Sequence, residues 1–149
     1  MQRQHDNDHL AMLAEFMTAM DQPVSRGWGD IAGIRLGSKL IEEETEEFRE
    51  AVENLFENVE CGEGEDVLND SREDIAKELA DILYVCHWTA AKIGIDVNEA
   101  FRRVHASNMS KLGSDGKPVK RADGKVLKGP DYHAPDLSDL VRNVPVTLA

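Results

Sequence analysis

An all-α bundle is the fold this sequence predicts, and three observations predict it. Apolar residues recur at helical spacing in four separate stretches. Glycine, proline and possible capping residues punctuate the gaps between those stretches. No internal repeat at solenoid spacing extends the helices into an array. The first helix is expected from about Asp8 to Met20, with Leu10, Leu13, Met17 and Met20 on one face. Asp21 to Gly33 then breaks the pattern with Pro23, Gly27, Gly29 and Gly33, and its Val24, Trp28 and Ile31 are expected to pack locally or line a pocket edge. A second helix should run from near Ile34 to about Asn58, followed by an acidic loop from Val59 to Asn69.

Ser71 with Asp74 three residues on resembles a capping box and places the start of helix three, which continues to about Ile93. Its Leu79, Ile82, Leu83, Val85, Cys86, Trp88 and Ala90 leave little polar surface. Such a helix is buried nearly all round, or is covered by a partner subunit. Asp96 with Glu99 offers a second capping box, opening helix four through about Met109. Beyond Ser110 the helical period disappears. Lys111, Lys117, Lys120, Arg121, Lys125 and Lys128 make a basic stretch with turn dipeptides at Asp115-Gly116 and Asp123-Gly124. The second dipeptide, flanked by Val119 and Val126, predicts a short hairpin. Gly129-Pro130 and an extended tail to Ala149 complete one domain over residues 1–149, with a core at 8–109 and a basic tail at 110–149.

The 149 residues suffice for one modest core. With 29 Asp and Glu against 17 Lys and Arg, the formal net charge is -12, which argues against sequence-independent nucleic-acid binding. Aromatics are only 5%, so the core rests on Leu, Ile, Val, Met and Ala. Cys61 and Cys86 make no disulfide framework and are read as free thiols of a reducing compartment. No apolar run is long enough to span a bilayer, and Met1 to Asp6 has no apolar signal core behind it. The expected location is the cytoplasm, with no membrane partner.

The most informative stretch is Leu40-Ile41-Glu42-Glu43-Glu44-Thr45-Glu46-Glu47-Phe48-Arg49-Glu50-Ala51. Glu-rich helices are commonly solvated faces. At about 100° per residue, however, Leu36, Leu40, Phe48, Ala51 and Leu55 define an apolar arc. Glu44 falls near its middle, Glu47 between Leu36 and Leu40, and Glu43 and Glu50 on its shoulder. Glu42, Thr45, Glu46, Arg49 and Glu53 point the other way. Buried acids need cations. Near these acids helix three has only Lys77 and Arg72 as basic residues, and adds Glu78 and Asp81, one turn apart among apolar neighbours. Converging like charges imply a divalent ion between them, and all-oxygen ligands favour Mg2+ or Mn2+ over zinc. A di-iron bundle would use Glu-x-x-His motifs, which are missing, as is an EF-hand loop.

Glu43-Glu44-x-x-Glu47 followed by Glu78-x-x-Asp81 resembles the EExxE…ExxD signature of the all-α nucleoside triphosphate pyrophosphohydrolases. That superfamily includes MazG-like enzymes, dimeric dUTPases and phosphoribosyl-ATP pyrophosphohydrolases. Val104-His105-x-Ser107-Asn108-Met109-Ser110-Lys111-Leu112, with Asp123-Gly124-Lys125-Val126-x-Lys128-Gly129-Pro130-x-Tyr132-x-x-Pro135-Asp136-Leu137, resembles its phosphoribosyl-ATP-pyrophosphohydrolase-like branch. The resemblance covers roughly Ile34 to Leu137. One departure is the thirty residues between Glu47 and Glu78, slightly more than usual, from which an enlarged loop around Cys61 to Asn69 and an intact site are expected.

The resemblance implies a four-helix, MazG-type bundle that dimerises or tetramerises as identical subunits. It implies Glu43, Glu44, Glu47, Glu78 and Asp81 as ligands of Mg2+, with Mn2+ as a substitute, and a cut that turns a nucleoside triphosphate into monophosphate and pyrophosphate. Glu47 or Glu44 would serve the chemistry, with Glu47 as general base. Asn108 would touch sugar or phosphate, unless it is simply a buried Asn on the stripe of Val97, Phe101 and Val104. Lys111, Lys125 and Lys128 would meet phosphates, and the tail would serve a neighbour's site. Tyr132 would cover the site or stack on a base, or only pack the tail. No Walker-type loop offers another phosphate cradle. Lys117, Lys120 and Arg121 are read as a solvated hairpin, and His87 and His105 as helix-packing residues. Hydrolysis of phosphoribosyl-ATP and a non-catalytic acidic helical dimer with structural cations are the alternatives.

Overall fold

The computed structural model describes residues 8–142; the expectations for the chain start and the last residues of the tail lie outside them. The described chain is helical, with α1 at His9–Ala19, α2 at Ile31–Glu60, α3 at Glu65–Ile93, α4 at Val97–Met109 and α5 at Ser138–Arg142. The residues up to Gly94 form one compact unit and those from Ile95 a second.

In the first unit α3 packs against both α1 and α2. Asp8 caps α1 by accepting the Ala11 N–H, and Leu13 and Met17, one turn apart, are its buried residues. They meet Trp88 and Ala91 of α3, with Leu10, Phe16, Val24 and Leu40 packed around them. The Trp88 indole donates to Gln22 Oε1 at 2.8 Å, so the largest core side chain leaves no buried donor unpaired. Gly94, at φ +93°, ends α3 in the left-handed conformation that favours glycine.

The expected α2 start at Ile34 is three residues late. Asp30 accepts the Gly33 N–H at 2.9 Å, so the glycine read as a breaker belongs to the first turn. It tolerates that place because α3 runs close by: a Cβ on Gly33 would meet Asp30 Oδ2 at 2.4 Å and Lys92 Cε at 2.8 Å. One turn on, a Cβ on Gly37 would meet Thr89 Oγ1 at 2.4 Å.

The acidic loop is also corrected. Only Cys61 to Gly64 separate the helices, and α3 opens at Glu65 with Gly64 as its N-cap. Glu65 and Asp66 suit a helix start, where the exposed N–H groups attract negative charge, and Arg72 ties Glu65 and Asn69 to the next turns. Ser71 is no cap: it is 2% exposed in mid-helix, where its hydroxyl donates to the Val67 carbonyl. The residues between the acidic motifs therefore lengthen both helices rather than a loop. Helix three is not buried all round either, since Leu79, Leu83 and Tyr84 are exposed on the single chain.

In the second unit the α4 expectation holds: Asp96 accepts the Glu99 N–H at 2.9 Å. Glu99 does not reach back to close the box, because Arg102 and Arg103 hold its carboxylate. Two tight loops follow, closed by the isolated bridges Leu112↔Pro118 and Lys120↔Val126, the second around the Asp123-Gly124 turn where a short hairpin was expected. α5 forms where an extended tail was expected. Asp136 Oδ1 accepts the Ser138 N–H at 2.9 Å, and Arg103 grips both Asp139 oxygens and the Asp136 carbonyl.

Gly37→Ala should destabilise the protein, because the crowding against Thr89, about 1–3 kcal/mol, outweighs about 1 kcal/mol of gained helix propensity. Urea denaturation of the variant should show a lower midpoint at an unchanged slope.

Candidate metal centre

α2 and α3 run antiparallel, since Gly37 lies against Thr89 and Asn58 against Ser71. That pairing brings the second half of the Glu-rich stretch opposite Glu78. One carboxylate oxygen from each of Glu44, Glu47 and Glu78 lies within 4.8 Å of the other two. The three differ in exposure: Glu78 is buried, Glu44 half-buried and Glu47 exposed. The site is therefore a wall with a buried back and an open lip, a geometry that admits a ligand from solvent.

Glu78 Oε1 accepts from Lys77 Nζ at 2.8 Å, while Glu78 Oε2 is buried without a hydrogen-bond partner. A buried acceptor left in that state costs about 1–3 kcal/mol, more when it carries charge. The same ammonium reaches Asp81 Oδ2 at 2.8 Å, and these two hydrogen bonds, Asp81 first, hold Lys77 more firmly protonated than an ordinary lysine. Sequence reading counted Lys77 with Arg72 as too few cations to offset the acids; its spacing of four from Asp81 was the available signal. Glu43 is turned to the helix surface, where it pairs with Lys39 at 3.2 Å, and is not one of the three converging acids.

Burial raises the Glu44 pKa above its ordinary 4.5, and the charges of Glu47, Asp81 and Glu78 add to the rise against the opposing Lys77. The donor set fits a hard divalent cation. It consists of carboxylate oxygens alone, it concentrates negative charge that one lysine does not neutralise, and it includes an orphaned buried oxygen.

The remaining predicted residues lie in the second unit. Asn108 is exposed, not buried, and accepts from Lys111 Nζ at 2.7 Å. Its stripe is open as well, with Phe101 73% exposed. Lys128 Nζ stands 4.2 Å over the Tyr132 ring, a cation–π contact that pairs two residues assigned separate roles. Lys125 is exposed in the Asp123-Gly124 turn, and Arg121 pairs with Asp123. The basic segment is tied to α4: Gly129 N–H donates to the Lys111 carbonyl at 3.0 Å, and buried Ser107 donates to the His133 carbonyl at 2.8 Å. Ser107 and Gly129, unassigned by sequence, thus hold the lysines in place. His87 packs edge-on against His9, whereas His105, also expected to pack, is exposed.

A helical chain that brings acids from two antiparallel helices to one point has the architecture of an all-α pyrophosphohydrolase. The family's own model matches residues 13–108, and the chain belongs to the phosphoribosyl-ATP pyrophosphohydrolase family, within the MazG-like superfamily. The match takes in both acidic motifs. No curated protein sequence matches the chain.

Glu44→Gln tests the electrostatics. A carboxyl whose folded pKa is raised binds more protons folded than unfolded, so its contribution to stability falls as pH rises above 4.5 through the raised value. The variant should melt higher than the parent at pH 7 in EDTA, with the difference shrinking towards pH 4.5, and should gain less from added Mn2+. Gly129→Ala would drive a methyl to 2.2 Å from the Leu112 carbonyl oxygen. Faster proteolysis within residues 111–128, at unchanged helical circular dichroism, is the expected outcome.

Proposed function

We propose that this chain hydrolyses nucleoside or deoxynucleoside triphosphates to the monophosphate and pyrophosphate, adjusting or cleansing the nucleotide pool. The observation that carries this reading is the convergence of Glu44, Glu47 and Glu78 around an oxygen of Glu78 that has no partner. Glu44, Glu47 and Glu78 are the residues that would hold Mg2+, or Mn2+ in its place, with Asp81 one turn on as a further ligand; Glu43 would join them only by leaving Lys39. A divalent cation bound there supplies positive charge to the phosphate oxygens and acidity to a water molecule.

Glu47 is our choice of general base because it is the exposed member of the trio and so faces arriving water. It takes the water proton as the oxygen attacks the α-phosphorus, the bond to the bridging oxygen breaks, and pyrophosphate leaves. Glu44, whose proton affinity is raised, is a second candidate for that transfer. Lys111, Lys125 and Lys128 are assigned to the charge of the leaving phosphates, Asn108 to sugar or phosphate, and Tyr132 to the base. The exposed Leu79, Leu83 and Tyr84 on α3 support a homodimer over a monomer, with a tetramer as the larger alternative. Two free cysteines, and the lack of any helix among the described residues long and apolar enough to cross a membrane, support action in the cytoplasm.

The family match favours a second substrate, phosphoribosyl-ATP, by the same bond cleavage. Pyrophosphate release from a panel of ribo- and deoxynucleoside triphosphates and phosphoribosyl-ATP, with Mg2+, Mn2+ or EDTA, separates the two. Release from triphosphates that EDTA abolishes, and that Glu47→Gln lowers about 100-fold or more in a folded protein, is the expected result. Release from phosphoribosyl-ATP alone would move the assignment to the second substrate. No release from either, with Glu47→Gln changing only the melting temperature, would leave a structural cation site.

A further inference from the structure

The acids of the candidate centre sit on two helices, so its geometry depends on how α2 and α3 are offset along their axes. A slip of one residue moves a side chain about 1.5 Å along a helix and about 100° around it. Oxygen ligands of Mg2+ need distances held near 2.0–2.1 Å, on the order of ten times finer than such a slip. Apolar contacts resist sliding weakly because several offsets satisfy them. A buried hydrogen bond between polar side chains is satisfied at one offset only, as a single buried Asn shows in coiled coils.

α2 and α3 share a bond of this kind, buried on the Ser71 side and half-buried on the Asn58 side. Asn58 Nδ2 donates to Ser71 Oγ at 2.9 Å, and Ser71, 2% exposed, passes its own proton to the Val67 carbonyl at 3.1 Å. Neither residue belongs to the acidic motifs. Asn58 lies eleven residues after Glu47, about three turns, and Ser71 seven residues before Glu78, about two turns. Each therefore projects from the same face of its helix as the acid it follows or precedes. The other end of the helix pair is set by size, through Gly37 against Thr89, and by Lys92, which stands 3.8 Å from Asp30 Oδ2.

We propose that the Asn58–Ser71 hydrogen bond is a register pin, which positions Glu47 opposite Glu78 and thereby tunes the affinity of the centre for a divalent cation. The proposal rests on the metal reading given above. It gives a use to the long interval between the two acidic motifs, which extends both helices far enough past the acids to carry the pin. Both residues are positioning residues.

The test compares the full-length protein with Asn58→Leu/Ser71→Ala, which keeps the contact apolar and unpolarised, and with Asn58→Ser/Ser71→Asn, which exchanges the partners. Mn2+ binding without nucleotide, measured by titration calorimetry well below the melting temperature, is the primary readout, alongside thermal melting. The apolar pair should melt at or above the parent yet bind Mn2+ about tenfold more weakly, and the exchanged pair should recover the affinity. A purely structural bond would move melting and leave Mn2+ affinity alone. Unchanged affinity in the apolar pair, or a loss that the exchange does not restore, overturns the pin. No Mn2+ binding by the parent protein would overturn the metal reading itself, a result distinct from either.

Discussion

Repulsion between like charges is the constraint on which the rest of this structure depends. Glu44, Glu47 and Glu78 converge from two helices although each would be better hydrated apart; burial first, and then the charges of Glu47, Asp81 and Glu78, raises the proton affinity of Glu44. Attraction has to come from elsewhere along the same pair of helices. It comes from the close approach at Gly33 and Gly37, from the core of Leu13, Met17, Trp88 and Ala91, and from Lys77 leaning across Glu78 and Asp81. None of these contacts removes the negative charge; they hold it in place. A rigid frame around an electrostatically unfavourable centre is what a cation-binding site requires, because ligands that relaxed apart would have to be reassembled at each binding event.

The second unit carries the basic stretch of an otherwise acidic chain. Its basic stretch is carried by two tight turns whose backbone is stitched to α4 through Ser107, Ser110 and Gly129, so that the lysines hang from a defined frame. Lys128 over Tyr132 and Lys111 on Asn108 are local pairings within that frame. Arg103 adds stiffness at the far end by holding α5, with Glu99 and Asp139 both kept more acidic than usual by that guanidinium.

The helices and the acidic trio were legible in the sequence because both follow from a period of 3.6 residues. Placing Glu44 among apolar neighbours anticipated its meeting with Glu78, whereas Glu47, expected on the same buried face, is exposed, as is Leu36 beside it. What the period could not supply was the role of residues that behave differently inside a helix than at its ends. Ser71 has the composition of a cap but is buried in mid-helix, satisfied by a neighbour thirteen positions away in Asn58. Gly33 has the composition of a breaker but marks a close approach. Lys77 was counted with Arg72 as too few cations, although one ammonium reaches two carboxylates at 2.8 Å each. Asn108 and its stripe read as buried from periodicity alone, while the single chain leaves Phe101 and Asn108 exposed. For Ser71 and Gly33 a tertiary neighbour decides, which no local pattern encodes, whereas for Lys77 the spacing of four from Asp81 was a local signal.

The brevity of the turn from Cys61 to Gly64 reaches beyond the geometry of the acids. Both halves of the centre lie on helices adjacent in the chain, so no distant segment has to be recruited to bring them together. Loop-closure entropy is small for such a hairpin, and contacts of low sequence separation form early. The pairing can zip outward from the turn, through Asn58 and Ser71 first and the acids afterwards, in order of increasing separation along the chain. The acidic wall thus takes all three of its converging acids from one helical hairpin and none from the lysine-bearing segment that follows it in the chain.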